Sequence, residues 1–341
     1  MAGLFQVFFW LSRDNLVTLN ENSFEKIESL SYSPFEGYDK NLLSSEQIAY
    51  DVNLFENFTN KLRTYGTLEA YKILQSSKDS NLPIDLGLWI GGDLQENNLE
   101  IQRALEILKE YPNRIQSVIV GNEVLLRKEL EPLELYAYID FMKSHTKKPV
   151  TTAETWDIWE KNPQLASHVD FLTIHILPYW EKVPIERYNE FIIEKYSVVE
   201  ELFPNRKIVI GETGWPSHGY NNNKAVPSIK NQAQAIRGFV NLAHEKGWHY
   251  NIIEALDQPW KGYDEGNVGQ YWGIFTTDRA LKFQLAGEVE LNKYWLYQMI
   301  AAIIIGALLT IFGLKNQRVN ISHAFAYAIA AQGMAFGIVM A

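Results

Sequence analysis

Two glutamates stand directly after short β-branched runs and beside glycine: Glu123 in Val-Gly-Asn-Glu-Val (120–124) and Glu212 in Gly-Glu-Thr-Gly-Trp-Pro-Ser (211–217). One such residue alone reads as a structural hydrogen-bonder; a pair, with nothing nearby that needs its charge for packing, reads as chemistry. Two facing carboxyls are the equipment of glycoside hydrolysis, in which one donates a proton to the leaving oxygen while the other, ionised, attacks the anomeric carbon or activates water. A separation of about 5–5.5 Å gives retention and about 6.5–9.5 Å inversion, a distance the sequence leaves open. Asn122, beside Glu123, can hydrogen-bond a sugar hydroxyl next to the reacting carbon. Trp89, Trp156, Trp180, Trp215 and Trp260 fall at or just after strand ends, where their rings suit the C–H faces of sugars. Two or three of the five are expected to serve packing alone.

Other chemistries find little support. The seven His include no HExxH or HxH arrangement, and the absence of Cys excludes disulfides and thiolate metal sites. No metal and no cofactor is expected. His175 reads as an inward hydrogen-bonder at a strand end and His218 as a loop residue. Neither GxGxxG nor GxxxxGK occurs, and Ser217 lies in Trp-Pro-Ser-His rather than GxSxG.

These residues need a scaffold that brings strand ends together. The pattern predicts strands over 27–32, 62–65, 84–89, 117–120, 150–153, 171–175, 208–211 and 252–255. Helical spacing between them covers 46–58, 99–111, 133–144, 185–202 and 228–246. Eight strand–helix units of about 29 residues fit an α/β fold of the (β/α)8 TIM-barrel type, whose function resides at the C-terminal ends of its strands. Strands four and seven lie across such a barrel, so Glu123 and Glu212 would face each other over a cleft. Glu154 follows the fifth strand, and carboxylates and aromatics crowd the same rim.

The chain has 341 residues and a net charge of −10; residues 293–341 hold Lys293, Lys315, Arg318 and no acid, which leaves −13 on the preceding part. An acidic body argues against phosphate-backbone binding, so no nucleic-acid partner is expected. Residues 294–314 carry no charge and are long enough to span a bilayer, with Tyr294, Trp295 and Tyr297 at one end as an interfacial belt. A second, weaker span covers 319–341. Lys315 and Arg318 between them place the connector in the cytoplasm by the positive-inside rule. That predicts a cell-membrane protein with its catalytic domain extracytoplasmic, periplasmic or at the cell surface. The apolar run reaching Ala341 predicts that more membrane protein follows. The organisation expected is an N-terminal segment (1–23, a signal-anchor remnant or a packing segment), a barrel (24–283), a linker (284–293) and two membrane helices.

The motifs together resemble glycoside hydrolase family 17, the β-1,3-glucanase and glucanosyltransferase family. The resemblance rests on Ser-Tyr-Ser-Pro-Phe (31–35), Arg-Thr-Tyr (63–65), Val-Gly-Asn-Glu-Val (120–124), Thr-Ala-Glu-Thr-Trp (152–156), His-Ile-Leu-Pro-Tyr-Trp (175–180), Gly-Glu-Thr-Gly-Trp-Pro-Ser (211–217) and Asp-Gln-Pro-Trp-Lys (257–261). It covers about residues 25–283 and implies a retaining double displacement. Glu123 would be the acid/base, its pKa raised by an apolar site or the nearby carboxylate, and Glu212 the nucleophile. It also implies cleft roles for Asn122, Tyr32, Arg63, Tyr65, Trp156, His175, Tyr179, Trp180, Trp215, Asp257 and Trp260. The match looks closer to the family's bacterial membrane-attached branch than to the plant endoglucanases, whose pattern after the eighth strand differs. In that branch a glycosyltransferase sometimes shares the chain or complex, and some members are described as β-1,6-glucan synthases. The partner implied is a β-glucan oligo- or polysaccharide. Endo-β-1,3-glucanase activity is expected first, with a glucanosyltransferase or a non-catalytic glucan-binding membrane protein as alternatives.

Overall fold

The computed structural model describes residues 2–11, 16–17, 19, 26–292, 294–315 and 317–340. It divides into two compact units, residues 20–286 and residues 1–19 with 287–341.

The larger unit is a closed barrel of eight parallel strands in sequential order. The strands are β1 (Leu30–Ser31), β2 (Leu62–Arg63), β3 (Ile84–Leu88), β4 (Ile115–Asn122), β5 (Val150–Thr155), β6 (Leu172–His175), β7 (Ile208–Thr213) and β8 (His249–Ile252). Pairing of Ile252 with Leu30 closes the ring. The expected barrel is therefore present, with shifts of detail. β1 is shorter than expected; Ile27 makes only an isolated bridge to Thr59. β8 begins at His249, so residues 253–255 lie beyond the strand.

Around the barrel run α1 (Ser45–Phe55), α2 (Thr67–Ser76), α3 (Leu94–Glu110), α4 (Pro132–His145), α5 (Trp156–Lys161), α6 (Tyr188–Leu202) and α7 (Ile229–Lys246). The pattern above gave no helix at α2 or α5. Local chemistry sets the ends. Asp93 caps α3 by accepting from Gln95 N and Glu96 N, and Ser228 caps α7 by accepting from Asn231 N. α7 stops at Gly247, whose φ of 66° is open to glycine at little cost.

Below their bulges the strands alternate between two faces. Leu30, Leu62, Ile84, Leu86, Val118, Leu172, Ile174, Ile208, Ile210 and Ile252 are buried apolar residues. The other parity is largely polar: Ser31, Arg63, Asp85, Ser117, Thr173 and Asn251. These residues are cross-linked along the axis by Ser29 Oγ–H to Asn251 Oδ1 (2.7 Å), Asn251 Nδ2–H to Ser31 Oγ (2.7 Å) and Ser117 Oγ–H to Asp85 Oδ1 (2.6 Å). A cavity of about 350 Å³ runs among these axial residues up to Arg63 and Gly211. Buried polar groups are tolerable there because they satisfy one another.

The smaller unit contains three apolar helices, Ala2–Leu11, Trp295–Leu314 and Ile321–Met340, and a ribbon pairing Leu16–Val17 with Val289–Glu290. The last two helices are long and apolar enough to cross a membrane. The N-terminal helix packs on both. Gln6 Nε2–H donates to Gln332 O (2.5 Å), and Trp10 Nε1–H donates to Gln6 Oε1 (3.1 Å). Gly306 lets Gln332 approach, since a Cβ there would collide with the Gln332 amide.

Candidate active site

Both glutamates owe their direction to a glycine at which the strand bulges. On β4, Ile119 pairs with Thr151 and Asn122 with Ala153, three steps against two. The extra residue falls by Gly121, with φ at 83°, and Glu123 follows with φ at 55°. A non-glycine residue in the left-handed region is uncommon and costs energy, so the turn must be held by its surroundings. Ala153 O accepts from Glu123 N at 2.7 Å. On β7, Ile210 pairs with Ile174 and Glu212 with His175, two steps against one, with Gly211 between. Bulges re-aim side chains in this way beside active sites.

The result is a tight constellation at the C-terminal mouth. One oxygen of Glu123, one of Glu212 and one ring nitrogen of His175 all lie within 4.8 Å of one another. That spacing falls on the retaining side of the two geometries. Arg63, 2% exposed, lies beneath. Its Nη2–H donates to Asn122 Oδ1 (2.7 Å) and its Nη1–H to Gly211 O (2.5 Å). Nη1 also lies 3.4 Å from Glu212 Oε1 and 3.2 Å from His175 Nε2. A guanidinium can only donate, so His175 Nε2 accepts and Nδ1–H donates to Glu123 Oε1 at 2.7 Å. Asn122, with its oxygen engaged, presents its amide hydrogens to a ligand.

The spacing of Glu123, His175 and Glu212 could also hold a metal ion. The Arg63 guanidinium already supplies the positive charge at that place, so the donor set fits an ion-paired site and not a divalent cation.

Burial pushes the Glu123 carboxyl up. The hydrogen bond from His175 and the charges of Arg63 and Arg127 outweigh it and hold Glu123 below the usual value. This corrects the expectation of a raised acid in the resting site. Glu154, fully buried at the end of β5, is pushed up to about 7 by desolvation. Lys261 sits 2.8 Å from both Glu254 oxygens; burial alone would lower it, but Glu254 and Glu265 pull it up.

The cleft above measures about 910 Å³. Of the residues singled out from the sequence, Glu123, Glu212, Asn122, Tyr65, Trp156, His175, Trp180 and Trp260 line it, together with Trp89, which is 46% exposed and carries the Arg127 guanidinium 4.4 Å from its ring. Four others belong to the packing. Tyr32 is buried against Phe55 of α1, its hydroxyl donating to Asp51 Oδ2 at 2.9 Å. Tyr179 is buried and donates to Tyr220 O (2.6 Å). Trp215 lies edge-on to Tyr179 and Tyr188, its indole N–H on Val226 O. Asp257 is tied to Lys282 (2.7 Å) and to Gly273 N. One Trp of the five is thus purely structural, fewer than the two or three expected.

Phe35 and Lys261, both within the strand-end motifs given above, line the cleft too, and further residues were not foreseen: Lys40 from the hairpin after β1, and Asp264, Glu265 and Trp272 from the long segment after β8. Trp272 is carried in by a return strand-like pairing, Ile274 N–H to Glu254 O (2.9 Å) and Phe275 N–H to Ala255 O (2.9 Å), and it stacks on Trp180. The fold-back of Trp272 has no local signal.

Known proteins share the sequence and fold of the barrel. Residues 29–273 match the family model described as the BtgE/BtgC glycoside hydrolase domain. The chain is 27% identical to the Schizosaccharomyces pombe glucan 1,3-beta-glucosidase over 255 residues, 69% of this chain and 79% of that one. It is 25% identical to the Saccharomyces cerevisiae protein called Probable family 17 glucosidase SCW4 over 74% of this chain, and spans 66% of that relative's length. Its fold is similar to that of a solved β-1,3-glucanosyltransferase from Rhizomucor miehei, an active-site mutant in complex with laminaritriose. The TM-score is 0.68 at 25% identity, over 75% of this chain and 95% of that one. The chain belongs to glycoside hydrolase family 17, and its barrel is a BtgE/BtgC-type glycoside hydrolase domain.

Proposed function

We propose that the protein is a retaining enzyme acting on β-1,3-glucan, held to a membrane by its apolar helices with the barrel outside the cytoplasm. The observation that carries this reading is the approach of Glu123 and Glu212 within 4.8 Å in a cleft walled by Trp89, Trp156, Trp180 and Trp260. In the first step Glu212 attacks the anomeric carbon, the glycosidic C–O bond breaks, and the Glu123 proton goes to the leaving oxygen. In the second step an acceptor O–H loses its proton to Glu123, its oxygen bonds the anomeric carbon, and the ester to Glu212 breaks. Arg63 holds Glu212 in place as a counter-charge, and Asn122 orients the sugar at the reacting carbon.

Water as acceptor makes the enzyme an endo-β-1,3-glucanase, the reading preferred here. A sugar acceptor makes it a glucanosyltransferase. That second reading is favoured by the several aromatic rings that line the cleft and by the likeness to the Rhizomucor enzyme. Membrane attachment is supported by two helices of bilayer length joined by a segment that carries Lys315 and Arg318. A glycosyltransferase in the same chain or complex would fit such an anchored, glucan-remodelling role.

The test is incubation of the full chain, in detergent micelles, with laminari-oligosaccharides, followed by mass spectrometry of the products beside a Glu212→Gln control. Shorter products alone establish the hydrolase, and products longer than the substrate establish the transferase. A folded wild type that leaves several β-glucans unchanged overturns the enzymatic reading and leaves a glucan-binding module.

A further inference from the structure

Glu154 takes no part in the double displacement outlined above, yet it is completely buried at the end of β5, under the loop that carries Glu123. Its two oxygens accept from Leu125 N (2.8 Å) and Leu126 N (3.3 Å), the amides just past Glu123. One residue earlier on the same strand, Ala153 O accepts from Glu123 N. The end of β5 therefore grips the β4 loop at three amides, and that grip fixes the left-handed turn at Glu123. No lysine or arginine is hydrogen-bonded to Glu154 among the described residues; it is a carboxylate held by backbone alone, which is a costly arrangement for packing purposes.

We propose that Glu154 is a positioning residue for the acid/base step: it holds the Glu123 turn in register and, when ionised, raises the proton affinity of Glu123. This rests on the glycosidase reading above. The charge argument follows from what faces Glu123. His175 on β6, Arg63 on β2 and Arg127 on its own loop draw it toward the carboxylate, and they prevail in the resting site. Glu154 on β5, Glu212 on β7 and Glu265 after β8 act the other way. Glu154 itself faces Glu123 and Arg127. A catalyst that must be protonated in one step and ionised in the next needs both sets. Hydrogen bonds from Leu125 N and Leu126 N are charge-assisted when Glu154 is ionised, so the same charged state both orients the turn and pushes on Glu123.

The experiment separates acid catalysis from general stability. An oligosaccharide leaving group needs the Glu123 proton; a 2,4-dinitrophenolate leaving group does not. kcat/KM for both substrate types is measured against pH on the full chain, wild type and Glu154→Gln, with thermal unfolding alongside. The expectation is a loss of about tenfold or more on the laminari-oligosaccharide, and an alkaline limb moved to lower pH. On the 2,4-dinitrophenyl laminaribioside the loss stays within about threefold. Equal losses on both substrates, or unchanged profiles, overturn the proposal. If Glu154→Gln does not fold, Glu154→Asp keeps the charge and shortens the reach. A loss confined to the oligosaccharide then supports the role, and an equal loss on both substrates overturns it. A wild type inactive on both substrates refutes the glycosidase reading itself, and this role with it.

Discussion

Two buried carboxyls make the barrel's stability depend on pH in a definite direction. Glu69 accepts from Tyr65 N and Gly66 N at the start of α2, and Glu154 from the two amides after Glu123. Burial pushes each from 4.5 up to about 7. A carboxyl with a raised folded pKa binds its proton more tightly folded than unfolded. Its contribution is complete below the unfolded value, about 4.5, and is lost as the pH rises through about 7. Two and a half pH units at ~1.4 kcal/mol each amount to about 3 kcal/mol per group, a large fraction of a domain's stability. Glu254, a third buried carboxyl pushed up to about 7, and Glu265 and Asp257, both raised by burial, act with the same sign. The groups held low, such as Glu129, Asp157 and Asp170, matter only on the acid side of their ordinary values. Lys282, lowered by burial, acts oppositely toward alkaline pH. The full chain in a non-ionic detergent, unfolded by urea and followed by Trp fluorescence, should lose stability steadily between pH 5 and pH 7.5. Glu69→Gln and Glu154→Gln should each remove up to about 1.4 kcal/mol per pH unit of that slope. A wild-type stability that is flat or rises across this window would refute the reasoning, because desolvation would then not govern these two groups.

Trp215→Phe should cost about 2–3 kcal/mol and a few degrees of Tm, from lost volume and the hydrogen bond to Val226 O, while kcat stays within twofold; a large fall in kcat at unchanged Tm would return Trp215 to the cleft. Gly121→Ala forces a Cβ to within 2.5 Å of Val124 Cγ2 at φ 83°. It should lower kcat tenfold or more with little change in KM, and full activity would show that Glu123 is aimed by other means. Glu123→Gln should abolish turnover of oligosaccharides but spare the 2,4-dinitrophenyl substrate in its first step, giving a burst of dinitrophenolate; loss of the burst would assign the acid elsewhere. The chain has no native Cys, so Gln6→Cys with Gln332→Cys gives a clean cross-link. Bond formation in membranes is expected from the contact of their helices, and no bond alongside a cross-linking Gly306→Cys/Gln332→Cys pair would detach the N-terminal helix from that unit.

Much of this site could be read before any coordinate. The period-two alternation, with Leu62 outward and Arg63 inward, or Leu172 outward and Thr173 inward, specifies a barrel whose axis is polar, and Asn122, Glu123, His175 and Glu212 could be placed at its mouth. Parity also had information that residue type overrode. With Leu30 facing the helices and Ser31 the axis, Tyr32 falls on the outer parity, and there it packs on Phe55. Tyr65, two residues beyond the inward Arg63, keeps the inner parity and lines the cleft. Tyr179 and Trp215 lie past their strands, where no parity applies, and only the packed loops decide that they face each other rather than a sugar.

Glu212, the proposed nucleophile, runs against parity, and the reason is physical. Along β7, Val209 and Gly211 line the axial cavity while Ile208 and Ile210 are buried on the other face. The next residue, Glu212, should by alternation point at the helices. The bulge at Gly211 adds one residue on β7 against β6, which returns Glu212 to the mouth. On β4 the step at Gly121 brings Asn122, of the same parity as the outward Val118, to the inner side, and a left-handed turn at Glu123, pinned by Ala153 O and Glu154, then keeps that carboxylate at the cleft. A regular strand would have turned Glu212 and Asn122 away from the mouth. The glycines beside the two glutamates are therefore the part of each motif that aims the chemistry. Arg63, reaching from β2 to Gly211 O and to Asn122, couples one bulge to the other. The distance between the two carboxylates is thus set by two bulges and one guanidinium, and changes at Gly121, Gly211 or Arg63 should alter the course of the reaction without touching either acid.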